Sequence, residues 1–121
     1  MKLAIISPRH FDNYAFLAAT LDGLQLAGLL FPASAIVSAA GRTANTLAAR
    51  YADERQLPLL QFWVDYTAHG RAAPLVQNHL IVASSNALIA FQEHKSRSTH
   101  HAIELAKRQG LKQVIVVHPP I

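Results

Sequence analysis

Short unbroken apolar runs alternate along this chain with stretches in which apolar residues recur every three or four positions. The first pattern belongs to strands buried on both faces, the second to helices with one face on a core. Residues 2–7, with Ile5 and Ile6 and a stop at Pro8, read as the first strand. Tyr14, Leu17, Ala18, Leu21 and Leu24 then repeat at helical spacing behind Asp12 or Asn13, either of which can cap. Gly28 and Pro32 bound a loop, and residues 35–38 form the second strand. Ala44, Leu47, Ala48, Tyr51 and Ala52 make an apolar stripe, with Arg50, Asp53, Glu54 and Arg55 outside it. Pro58 starts a third strand through Leu59, Leu60, Phe62 and Val64. A polar loop is expected over residues 67–74. The helix expected over residues 75–85 is apolar on most sides, which suits deep packing or a subunit interface. Residues 87–91 and 114–117 read as the last two strands. Between them a helix is expected over residues 100–109, with Ala102, Leu105 and Ala106 inward and Gly110 where a C-cap belongs.

Five strands alternating with four helices, joined by right-handed crossovers, make an α/β chain. The expected architecture is a three-layer Rossmann-like domain with a mainly parallel five-stranded sheet. At 121 residues the chain has the length of one domain, and 51% apolar against 15% charged residues is a folding composition. The net charge of +4 suits an anionic ligand. No run of basic residues marks a nucleic-acid surface, and few aromatics accompany the cations. With no cysteine there is no disulfide, thiolate metal site or Cys nucleophile. The N-terminal apolar stretch is too short for a signal peptide and no window approaches a membrane span, so a cytoplasmic protein without a membrane partner is expected.

One device occurs twice: a buried-type strand runs into a small or polar loop carrying an arginine, and then into a helix. The first copy ends in Ser38, Ala39, Ala40, Gly41, Arg42, Thr43, Ala44 and Asn45; the second carries Lys95, Ser96, Arg97, Ser98 and Thr99. Helix starts offer unpaired N–H groups and the positive end of the dipole, so each junction suits a phosphate. Arginine adds bidentate recognition of phosphate oxygens. Ser7 and Arg9 follow the first, central strand and belong to the same edge. Gln77 and Asn78 either bond a backbone or face the pocket. Asp65 is a candidate for a sugar hydroxyl. Glu104 reads as a solvent-facing charge with a ribose contact as its alternative, and Trp63 as core or interface packing. There are seven histidines, yet no pair has i, i+4 spacing, and neither a metal nor a cofactor is implied.

The order of four motifs resembles the YspA-type, YpsA-related branch of the SLOG superfamily, which also holds the LOG phosphoribohydrolases and the DprA core. The motifs are Ser7-Pro8-Arg9-His10-Phe11, Ser38 to Asn45, Gly70 to Asn78, and Ala87 to Phe91 followed by Ser96 to Thr99. Against the usual branch pattern, Arg9, Arg42, Ala44, Asn78 and Thr99 are kept. Ala39, Ala40, Thr43 and Ser98 stand where the pattern has glycines, Asn45 where it has aspartate, and Gln77 where it has arginine. Added methyl groups narrow the approach to the backbone and restrict positive φ.

The resemblance implies a SLOG-type pocket for a nucleotide or nucleotide-derived molecule. Its expected ligand residues are Ser7, Arg9, Ser38, Gly41, Arg42, Thr43, Asn45, Asn78, Ser96, Arg97, Ser98 and Thr99. No catalytic residue is assigned. Two alternatives stay open: a LOG-like hydrolase of nucleoside monophosphates or related N-glycosidic bonds, and a scaffold with a degenerate pocket. A homodimer or larger homo-oligomer is expected from the apolar helix over residues 75–85.

Overall fold

The computed structural model describes residues 1–8, 11–40, 46–92 and 96–119. Five parallel strands form one sheet in the order β3-β2-β1-β4-β5: β1 (Lys2–Ile6), β2 (Ala35–Ala40), β3 (Leu59–Trp63), β4 (Ala87–Phe91) and β5 (Gln113–Val117). Helices α1 (Tyr14–Leu26) and α2 (Thr46–Glu54) belong to one layer; α4 (Ala73–Ala83) and α5 (Arg97–Arg108) belong to the other. This is the three-layer Rossmann-like architecture the alternation implies.

The pleat divides the core. Leu3, Ile5, Ile36, Ile89 and Phe91 face α1 and α2, where they meet Leu17, Leu21 and Tyr51. Ala4, Ile6, Val37, Leu88 and Ala90 face α4 and α5, where they meet Ile81, Val82, Ile103 and Leu105. β1 and β4 are buried over nearly their whole length because both faces are covered, which is why their sequence has no polar alternation.

The helix ends explain the short connections. Gly28 and Gly110 hold φ of +75° and +71°, and each follows a helix that closes in a Schellman motif. Leu29 N–H reaches Leu24 carbonyl after α1, and Leu111 N–H reaches Ala106 carbonyl after α5. α2 closes the same way, with Leu57 N–H on Ala52 carbonyl, yet its left-handed residue is Gln56 at φ +55°. No glycine signals that end.

Two expectations are corrected. Residues 67–74 are not an open loop: Tyr66–His69 form a short helix, α3, and Gly70–Ala72 a 3-10 turn leading into α4. Asp65 caps α3, its Oδ1 accepting from Ala68 N–H at 2.9 Å, so backbone amides rather than composition stabilise this stretch. The last helix also begins earlier than expected, at Arg97 rather than His100. Ser96 is its cap, and its Oγ accepts from Thr99 N–H.

Between α1 and α2 lies a polar staple. Tyr51 donates to Asp22 at 2.6 Å, Arg55 pairs with Asp22 and Glu54, and Tyr14 donates to Glu54 at 2.7 Å. Burial and the hydrogen bond to the Asp22 carboxylate push the Tyr51 phenol up to about 12, so it stays a donor. The Arg55 guanidinium holds the Asp22 carboxyl below its usual range.

Candidate functional site

In a sheet of order 3-2-1-4-5, the chain leaves β1 toward β2 but enters β4 on the other side. The carboxyl ends of β1 and β4 are therefore the switch point of the sheet, the place where sheets of this order hold their ligands. Ser7 follows β1 at this edge and is half-buried; Gln92 follows β4. The N-terminus of α5 opens at the same place, because α5 is the first helix after β4.

Aromatic packing holds the β1 connection down. Phe11 stacks on Phe91, the last residue of β4, at 5.4 Å between centroids and 13° between planes. Phe16 meets Phe91 edge-on at 6.1 Å. Phe11 N–H donates to the Pro8 carbonyl at 3.1 Å, and Asn13 Oδ1 caps α1 through Phe16 N–H at 3.0 Å. The motif Ser7 to Phe11 is thus anchored at both ends.

At the start of α5 the hydroxyls divide. Ser96 Oγ donates to Thr99 Oγ1 at 2.7 Å, and Thr99 is buried, so this pair builds the cap. Arg97 and Ser98 are exposed at the first two helical positions. Among the described residues nothing accepts from their backbone N–H groups. Unpaired N–H groups at a helix start, next to an arginine in sequence, are of the kind that suits an anion.

Ser38 lies on β2 opposite Gln61, on the face of Ile36 and Ala40. It is 1% exposed, and its Oγ has no hydrogen-bond partner among the described residues. A buried hydroxyl in that state costs about 1–3 kcal/mol. Arg9, Gly41, Arg42, Thr43 and Asn45 lie outside the described residues.

Asn78 reaches the start of α5. Its Nδ2 donates to the Ser98 carbonyl at 3.0 Å and contacts His101 Nδ1 at 3.2 Å, tying α4 to the first turn of α5. Gln77 Nε2 donates to the Phe62 carbonyl of β3 at 2.7 Å. Both side chains take the backbone-bonding role left open by the sequence. Glu104 is half-exposed and within 3.8 Å of Lys107, two turns from the α5 N-terminus, so it fits the solvent-facing reading. Trp63 is 70% exposed, which excludes the core.

The Asn78 contact also sets a pH response. With Nδ2 committed as donor, His101 Nδ1 is the acceptor and the neutral ring carries its proton on Nε2. Burial first, then His79 at 5.8 Å between ring centroids, and Arg108, hold His101 below the usual histidine value. The unfolded chain therefore takes the proton first. This contribution to stability is complete above a pH of about 6.5 and is lost as pH falls through the folded value. Urea denaturation is expected to show a midpoint that declines on acidification below neutrality, and His101→Gln is expected to flatten that decline. An unchanged slope in the variant would remove His101 as its source.

An open groove of about 440 Å³ lies elsewhere, lined by Asp22, Gln25, Ala33, Tyr51 and Arg55. It sits at the amino ends of the strands, against the C-terminal turns of α1 and α2. Those turns carry the negative ends of the dipoles, the wrong polarity for phosphate. Its polar groups already pair with one another: Gln25, for example, joins Tyr51 Oη to Ala33 N–H.

Among the described residues no helix is long and apolar enough to cross a membrane. Comparison of the chain with protein-family models, curated proteins and solved structures finds no match.

Proposed function

We propose that the chain binds a nucleotide or nucleotide-derived molecule, with its phosphate at the β1–β4 crevice, as a YspA-type member of the SLOG superfamily. The observation that carries this reading is the α5 N-terminus at the point where the β1 and β4 connections part. Its unpaired amides and Arg97 supply the charge a phosphate needs. Ser38 adds a buried hydroxyl without a partner among the described residues, on the strand that leads toward Arg42. In this reading Ser7, Arg9, Gly41, Arg42, Thr43 and Asn45 complete the ligand's surroundings, and Ser96 and Thr99 act by building the cap. The half-exposed Glu104, paired along α5 with Lys107, lends no support to a hydrolytic role, so the reading is of binding without turnover.

A thermal-shift screen against inorganic phosphate, nucleotides, NAD, ADP-ribose and cyclic nucleotides tests it. A ligand of the folded state at a hundredfold excess over Kd stabilises by about 2.7 kcal/mol, which raises the midpoint clearly. Ser38→Ala is expected to raise the midpoint of the free protein, by about 1 kcal/mol, since it removes an unsatisfied hydroxyl. No shift with any compound in the wild-type protein would overturn the reading.

A further inference from the structure

We propose that β3 is a dimerisation edge, where two copies of this chain join their sheets across a two-fold axis through Gln61. β3 is an outer strand of the sheet, with β2 on one side only. Ile36 N–H takes the Pro58 carbonyl, so even-numbered residues of this strand direct their backbone groups to β2. Leu59, Gln61 and Trp63 therefore turn their N–H and C=O groups outward, and none of these six groups has a partner among the described residues.

The strand lacks the usual protections of an edge. Its five residues Leu59–Trp63 carry no charge, no proline and no bulge. Leu59 is 38% exposed, Leu60 43% and Trp63 70%. The opposite edge strand, β5, has only half-buried side chains. The difference singles out β3.

The geometry is self-complementary. Antiparallel pairing centred on Gln61 sets Gln61 opposite its own copy and Leu59 opposite Trp63, and these are the residues with outward backbone groups. All six groups then pair, and Leu60 meets Phe62 in the closer, non-hydrogen-bonded position. Every opposed side-chain pair is apolar except the amide pair on the axis. A two-fold interface needs this self-match.

Size agrees with a second copy as occupant. Leu80, a turn past Gln77 on α4, extends the apolar surface beside Leu60, since Gln77 holds the Phe62 carbonyl. These four side chains expose roughly 400 Å² in all, Leu59 and Trp63 on the α1/α2 side of the edge and Leu60 on the α4 side. With the backbone edge and its flanks, each copy contributes toward the ~800 Å² of a standard interface, at its lower end. A dimer with a micromolar dissociation constant is the expected result.

Trp63 is the only tryptophan, so its fluorescence reports the contact directly. Raising the concentration from about 0.1 to 500 µM spans a micromolar Kd. Across that range light scattering is expected to move from the 13.2 kDa chain to twice that mass, with a blue shift of the Trp63 emission. Gln61→Lys and Gln61→Glu each oppose like charges on the axis and are expected to weaken the dimer at least ~10-fold. Mixed one to one, they are expected to restore it. Trp63→Lys changes an exposed side chain and should leave a folded monomer, a check if the Gln61 variants fold poorly. Leu75→Lys, on the opposite flank of α4, should leave the dimer intact. A single 13.2 kDa species at all these concentrations overturns the proposal. So does a dimer indifferent to both Gln61 charges, or one lost through Leu75→Lys.

Discussion

Replacement of Phe91 by alanine is expected to lower the unfolding free energy by about 3–5 kcal/mol. Phe91 ends the interior strand β4 with no exposed surface. It lies between the Phe11 ring, stacked 5.4 Å away, and the Phe16 ring, set edge-on. Truncation removes the transfer energy of a full phenyl group and leaves a cavity that the sheet behind it is too rigid to close. Each aromatic pair adds about 0.5–1.5 kcal/mol beyond the area it buries. Against a total stability of about 5–15 kcal/mol this is a fifth or more. Urea denaturation at neutral pH measures it, and a loss below about 1.5 kcal/mol would mean that the site collapses around the missing ring and the stack contributes little. The consequence extends to the crevice. Phe11 follows Ser7 at this edge and bonds back to Pro8, so the variant is also expected to bind ligand more weakly under conditions where it remains folded.

The double replacement Arg42→Ala and Arg97→Ala is expected to lower affinity for the nucleotide found in the thermal screen by about 100-fold or more. Each charge-assisted contact to phosphate contributes on the order of 1.5–3 kcal/mol, and loss of both removes at least ~3 kcal/mol. Arg97 is exposed at the first position of α5 and takes part in no ion pair among the described residues. Its removal therefore costs little stability, within about 0.5 kcal/mol for a surface position. Calorimetric titration separates the two quantities. An unchanged dissociation constant would place the phosphate away from both arginines and end the proposed reading of the crevice.

What was legible in the sequence follows from how locally each feature is determined. The strands read clearly because burial on both faces leaves an unbroken apolar run, as in Ala87–Phe91. α5 read clearly in its body, since Ala102, Leu105 and Ala106 fall on one face, and Gly110 marked its end. Its start lies three residues before the one that the sequence predicts. The cap depends on Ser96 Oγ meeting Thr99 N–H, while Ser98 and Thr99 are equally good capping residues on composition alone. The short helix at Tyr66–His69 was missed because Gly70 and the polar residues around it look like a loop. Asp65, which caps it, was read as a candidate for a sugar hydroxyl.

The candidate site was legible only as a set of loops. Two strand-to-helix junctions with arginines can be found by reading along the chain, but their spacing does not tell which strands adjoin. The partners of Asn78 and Gln77 are 20 and 15 residues away, so the sequence left open whether these amides face a ligand or a backbone. α4 shows the same limit. It is apolar on most sides, and packing chooses the face of Ile81 and Val82 for the core while Leu75 and Leu80 stay outside.

The alternation of strand and helix, and with it a mainly parallel three-layer α/β chain, can be read along the residues, because periodicity and helix-end residues are local signals. The tertiary structure alone decided the strand order β3-β2-β1-β4-β5. That order sets the switch point between β1 and β4, leaves Ser38 buried without a partner among the described residues, and turns Leu59, Gln61 and Trp63 to an open edge. The reason is physical: a strand's neighbours follow from which apolar faces can be covered together, a property of the whole packed molecule.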